Sequence, residues 1–196
     1  MDVLDGREVL EQGDIAFFYR PKVQPADALV EIPGVQSFFV VLSPAGGGPA
    51  RRLRIGRKRM PSARGQRFWV QVERVGSFQR VLADQLEDER YTTKTRGERY
   101  QPGARAVAQG TYAFVRHDDH THLEYTVEHA EPLDDLPEEV RVPAEASYVV
   151  LFERRPRTRA TWTTDGSPDL LDRADAEIVL VGIDAEHDHA YESATW

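Results

Sequence analysis

Thr111-Tyr112-Ala113-Phe114-Val115-Arg116-His117-Asp118-Asp119-His120-Thr121-His122-Leu123-Glu124-Tyr125-Thr126-Val127 carries the pattern that decides the fold. Two runs rich in β-branched and aromatic residues flank a polar dipeptide, Asp118-Asp119, as in a tight antiparallel hairpin. With a two-residue turn, His117 faces His120 and Val115 faces His122. Side chains alternate between the two faces of a strand. His117, His120, His122 and Glu124 therefore share one face, and Leu123, Tyr125 and Val127 the other.

The same grammar runs through the rest of the chain. Strands are predicted at Ile15–Tyr19, Val35–Leu42, Phe68–Val75, Tyr148–Phe152 and Ile178–Ile183. Phe38–Leu42, Tyr148–Phe152 and Ile178–Val181 are apolar on both faces, so they belong in central strands or in a tightly curved barrel. Arg52-Leu53-Arg54-Ile55 alternates and is read as an edge strand. Helix signals are few. Ser77 is an expected N-cap for a helix carrying Phe78, Val81, Leu82 and Leu86 at helical spacing. Shorter helices are expected at Asp134–Val140 and Asp169–Ala174, the second with Pro168 at its start. There are too few crossover helices to build a parallel sheet. The expected fold is α+β and mainly β, a largely antiparallel sheet or partly closed barrel with few short helices.

Polar, Gly- and Pro-containing stretches at Pro44–Pro49, Thr92–Gly110 and Arg154–Pro168 are read as loops. The 196 residues carry a net charge of −8. Residues 1–110 sum to +5 and residues 111–196 to −13. A single domain is expected, or two subdomains meeting near 92–110, a basic half over 1–91 and an acidic half over 111–196. There is no cysteine, which excludes disulfides, thiolate catalysis and cysteine-ligated zinc. The N-terminal residues are acidic and lack an apolar segment, and no apolar run reaches the roughly 20 residues that span a bilayer. A cytoplasmic location without membrane contact is the expectation.

Two places carry candidate function. The first is basic. Arg51, Arg52, Arg54, Arg57, Lys58, Arg59, Arg64 and Arg67 place eight cations and no carboxylate in 17 positions. Arg20, Lys22, Arg96 and Arg99 join them if the fold allows it. Such a patch holds phosphate backbones, and Tyr19, Phe68, Trp69 and Tyr100 offer surfaces on which bases stack. The alternative is a solvated face that pairs with the acidic half, within one chain or across a homo-oligomer.

The second is the histidine hairpin. Three imidazoles and a carboxylate on one face suit zinc, nickel, copper or iron, and three protein ligands leave a position open for chemistry. His187-Asp188-His189 supplies a second His-x-His that could complete such a site. The competing reading is a solvated polar turn. No Gly-x-Ser-x-Gly elbow, phosphate-binding loop or dinucleotide fingerprint is present.

Gln12-Gly13-Asp14-Ile15-Ala16-Phe17-Phe18-Tyr19 resembles the Gly-Asp-then-aromatic strand of PUA-like barrels such as EVE and ASCH domains. The resemblance covers about eight residues, and it implies a small β-barrel that binds RNA or a modified base. Phe17–Val23, Gly56–Arg59 and the histidine turn resemble uncharacterised bacterial proteins, from which no activity carries over. The first reading is therefore a non-catalytic domain binding RNA or another phosphate-bearing ligand, with no cofactor. The alternatives are a hydrolase or oxygenase using a divalent transition metal at His117, His120 and His122, and a protein-interaction module.

Overall fold

The computed structural model describes residues 7–26, 34–132, 136–154 and 161–183. Eight antiparallel strands close into a barrel. The first four run β1 (Arg7–Pro21), β3 (Val35–Pro44), β4 (Ala50–Ile55) and β5 (Arg67–Gly76). The second four are β8 (Arg105–His117), β9 (His120–Ala130), β10 (Glu145–Glu153) and β12 (Glu177–Gly182). Each set is a meander, and the two meet along two seams, β1 with β8 and β5 with β12. A β9–β10 pairing completes the ring. The fold is mainly β with few short helices, and the barrel is fully closed.

Smaller elements decorate it. β2 (Gln24–Pro25), β6 (Glu89–Thr93) and β7 (Gly97–Gln101) form a separate three-stranded sheet. β11 (Trp162–Thr163) adds to the end of β10. The one α-helix among the described residues, α1 (Phe78–Leu82), starts at Ser77, whose side chain accepts a hydrogen bond from the Arg80 amide. It is shorter than the sequence pattern implied, and Leu86 lies beyond it and exposed. Single 3-10 turns occupy Glu138–Val140 and Pro168–Leu171 in place of the two expected short helices.

Alternation drives closure. Ile15, Phe17 and Tyr19 on β1, Phe38, Val40 and Leu42 on β3, and Val70 and Val72 on β5 all point inward. Tyr112, Phe114, Leu123, Tyr125, Tyr148, Val150 and Phe152 fill the other side. An eight-stranded barrel is just wide enough for side chains to fill it, so its interior is a packed core. The strands read as apolar on both faces are explained by two outer clusters. Phe39 and Val41 lie under Val81 and Leu82 of α1. Val149, Leu151, Val179 and Val181 form the other, with Trp162 of β11 packed against them.

Two expectations are corrected. Arg52–Ile55 is not an edge: β4 pairs with β3 on one side and β5 on the other. Thr92–Gly110 is not a loop, because it contains β7 and the start of β8. Its polarity arises because the β6–β7 hairpin is largely exposed. Among the described residues no helix is long and apolar enough to cross a membrane.

Candidate metal centre

The fold disperses the basic segment. Period-2 alternation sends Arg51 to the inner face of β4, where it is 1% exposed. Its Nη1 and Nη2 donate to Glu11 at 2.6 and 2.9 Å, and its Nε donates to Asp172 at 2.7 Å. Arg52 points outward but lies under α1. It donates to the Val81 carbonyl and the Asp84 carboxylate, both at 2.7 Å, and pairs with Glu73. Arg54 takes the other oxygen of Glu73. Arg20 donates to the Pro102 carbonyl and lies 3.6 Å from Glu89.

The remaining cations lie apart from these. Arg57, Lys58 and Arg59 occupy the exposed β4–β5 turn, at the opposite end of β4 from Arg51. Lys58 donates to the Val35 carbonyl, and Arg59 lies over the Phe68 ring. Arg64 and Arg67 are exposed just beyond them, and Lys22 is exposed after β1. Arg96 and Arg99 belong to the β6–β7 hairpin of the second sheet. The arginines of β4 therefore form no common basic face with the turn, since carboxylates neutralise all three.

The histidine hairpin is the opposite case. The register pairs His117 with His120 and Val115 with His122. Asp118 adopts the left-handed conformation, with φ of 46°, that tight hairpin turns require. Leu123 and Tyr125 enter the core, so His117, His120, His122 and Glu124 lie on the outer face of the barrel. His122 is nevertheless only 1% exposed. Its cross-strand neighbours are Val115 on β8 and Val149 on β10, both buried. The ring centroids of His117 and His120 lie 4.6 and 4.8 Å from that of His122, and 6.0 Å from each other.

Two contacts orient the rings. His122 Nδ1 is 2.8 Å from the Ser147 hydroxyl, and His120 Nδ1 is 2.9 Å from Asp119 Oδ1. The Asp119 carboxylate only accepts, so His120 donates Nδ1–H and its Nε2 carries the lone pair; His122 has the same tautomer when its Nδ1–H donates to Ser147. This is how oxygen partners fix the tautomer of metal-binding histidines. The hydrogen bond from His120 holds the Asp119 carboxyl below the usual carboxylate range.

Ligand atoms of His117, His122 and Glu124 all lie within 4.8 Å of one another. In a tetrahedral site with bonds of about 2.0 to 2.1 Å, ligand atoms are roughly 3.4 Å apart. Bringing the three onto one ion closes the widest separation by up to about 1.4 Å. His117 Nε2 is already 3.5 Å from Glu124 Oε1. Arg7 Nη2 donates to both oxygens of Glu124, at 2.7 and 2.9 Å.

Pattern reading found the shared face, including Glu124. It missed Ser147 and Arg7, which reach the cluster through the β9–β10 and β1–β8 pairings and leave no local signal. His187 and His189 lie outside the described residues. Glu124 and Ser147 also line a groove of about 830 Å³ across the outer faces of β1, β8, β9 and β10. No known protein family, curated protein or solved structure matches this chain.

Proposed function

We propose that the protein binds one divalent transition metal ion through His117, His122 and Glu124, with the His120 ring packed beside them. The convergence of two imidazoles and a carboxylate on a rigid pair of strands carries the reading. Two histidines with one carboxylate suit catalytic zinc and also non-haem iron(II). Three protein ligands leave a position for water or substrate, and the groove adjoining Glu124 is where a substrate would approach. His117, His122 and Glu124 would hold the ion, which would supply Lewis-acid polarisation of a bound oxygen. The chemistry that follows is hydrolytic with zinc and oxygenating with iron.

The test is calorimetric titration of chelator-stripped protein with Zn²⁺. One equivalent is expected to bind. Binding should be lost in Glu124→Gln and weakened about 10- to 100-fold in Ser147→Ala, which removes the partner that orients His122. Zinc uptake unaffected by Glu124→Gln would sink the reading.

A phosphate-bearing ligand such as RNA is the second reading, supported by the three adjacent exposed cations Arg57, Lys58 and Arg59. It requires salt-sensitive binding of single-stranded RNA that disappears in Arg57→Glu/Arg59→Glu. Binding that survives this double reversal would contradict it.

A further inference from the structure

Glu124 already carries a cation. Arg7 stands at the start of β1, and the register sets it opposite His117, which in turn faces His120. Directly opposed residues share a face, so the three form one row across β1, β8 and β9. From the end of that row Arg7 reaches over to Glu124. Its Nη2 lies 2.7 Å from Oε1 and 2.9 Å from Oε2. Oε1 is also the oxygen that His117 Nε2 approaches at 3.5 Å. The guanidinium therefore occupies the carboxylate edge that an ion shared with His117 and His122 would need.

That edge suits one cation at a time. Bonds from a metal to a carboxylate oxygen are about 2.0 to 2.2 Å long, so an ion on Oε1 would stand roughly 4 Å from a nitrogen still bonded to both oxygens. At that range a divalent ion and a guanidinium repel strongly even with water's screening. Arg7 is the weaker holder of the two. Its side chain is 48% exposed and that of Glu124 is 30% exposed, and a partly exposed ion pair contributes little. The strand has other anchors: Glu8 pairs with Arg116, and Leu10 packs against the core. Arg7 can leave Glu124 without unpairing β1.

We propose that Arg7 is the resident counter-cation of the metal cluster, a competitor that holds Glu124 while the site is empty and swings off it when a divalent ion binds. On the metal reading, on which this proposal rests, ion uptake is thus an exchange of one cation for another. Glu124 stays neutralised in both states, and occupancy is signalled at the start of β1 by release of the guanidinium into solvent.

Zinc is titrated by calorimetry into chelator-stripped parent, Arg7→Met and Arg7→Lys proteins, and the Arg7 guanidinium of the parent is followed by NMR. Arg7→Met is expected to bind zinc about fivefold more tightly than the parent, the strength of a partly exposed ion pair. Arg7→Lys keeps the charge and should bind as the parent does. The Arg7 Nε–H signal should move, by one equivalent, to the position of a solvated arginine. Equal or weaker binding by Arg7→Met, or an Arg7 signal that stays in place as zinc saturates, would overturn the proposal and leave the metal reading standing. Weaker binding in particular would make Arg7 an outer partner that orients Glu124. Zinc uptake by neither the parent nor Arg7→Met would overturn the metal reading, and this proposal with it.

Discussion

Arg51 shows how a residue's place on a strand overrides its chemistry. An arginine on the inner face of a barrel must be neutralised, because a bare guanidinium in a core costs several kcal/mol. Glu11 and Asp172 do this from β1 and from the segment after the second 3-10 turn, so three distant parts of the chain meet at one side chain. Burial works against the charge of Arg51, but the bonds to Glu11 and Asp172 outweigh it and raise the guanidinium above its ordinary value. Arg51→Met is expected to destabilise the fold by roughly 3 kcal/mol, the low end for breaking a buried pair, because Asp172 retains some hydration. Urea unfolding measures it, and a loss under about 1 kcal/mol would show that the network contributes little.

Asp118 and Gly110 set the geometry of the β8–β9 hairpin. Asp118 holds a positive φ that costs a β-branched residue about 1 to 2 kcal/mol. Asp118→Gly should therefore be neutral or stabilising and Asp118→Val destabilising, with metal affinity falling in parallel if the turn positions His117 and His120. At Gly110, any Cβ would collide with the Thr126 carbonyl across the bulge between β8 and β9. Gly110→Ala is expected to cost about 2 kcal/mol, as overpacking against a backbone does. A thermal midpoint unchanged from the parent would count against that account.

What was legible in the sequence follows from what is local. Period-2 alternation located the barrel strands and placed the histidines with Glu124 on one face, because that inference needs only neighbours along one hairpin. It misread β4 as an edge, since Arg52 and Arg54 both look solvated; Arg54 does stay exposed beside Glu73, but Arg52 is buried under α1 with Glu73 and Asp84. It read β7 as loop because an exposed hairpin has no apolar face to betray it. Ser147 and Arg7 were invisible for the same reason as Asp172: each joins its partner through a pairing between distant segments.

At the scale of the whole molecule, closure removes the edges that an open sheet would expose. It also encloses Tyr112, Tyr125 and Tyr148, and burial raises all three phenols above their ordinary value. The neutral phenol is thus favoured in the folded state. Below about pH 10 that stability is fully present. Above it, the unfolded chain releases protons that the folded chain retains, so stability falls as pH rises. Denaturation midpoints should decline from about pH 10 upward, with tyrosinate absorbance from these phenols appearing only as the barrel opens. Ionisation of all seven tyrosines in the folded state near pH 10 would contradict the packing described.

The barrel also gives the metal proposal its physical basis, because His117, His122 and Glu124 lie on strands fixed by pairing on both sides and not on a free turn. Cobalt(II) titration of metal-free protein, read by its visible absorption, tests this most directly. The account expects bands that saturate at one equivalent, are displaced by zinc and vanish in Glu124→Gln. Cobalt spectra that remain those of the hydrated ion, or saturate equally in Glu124→Gln, would contradict it.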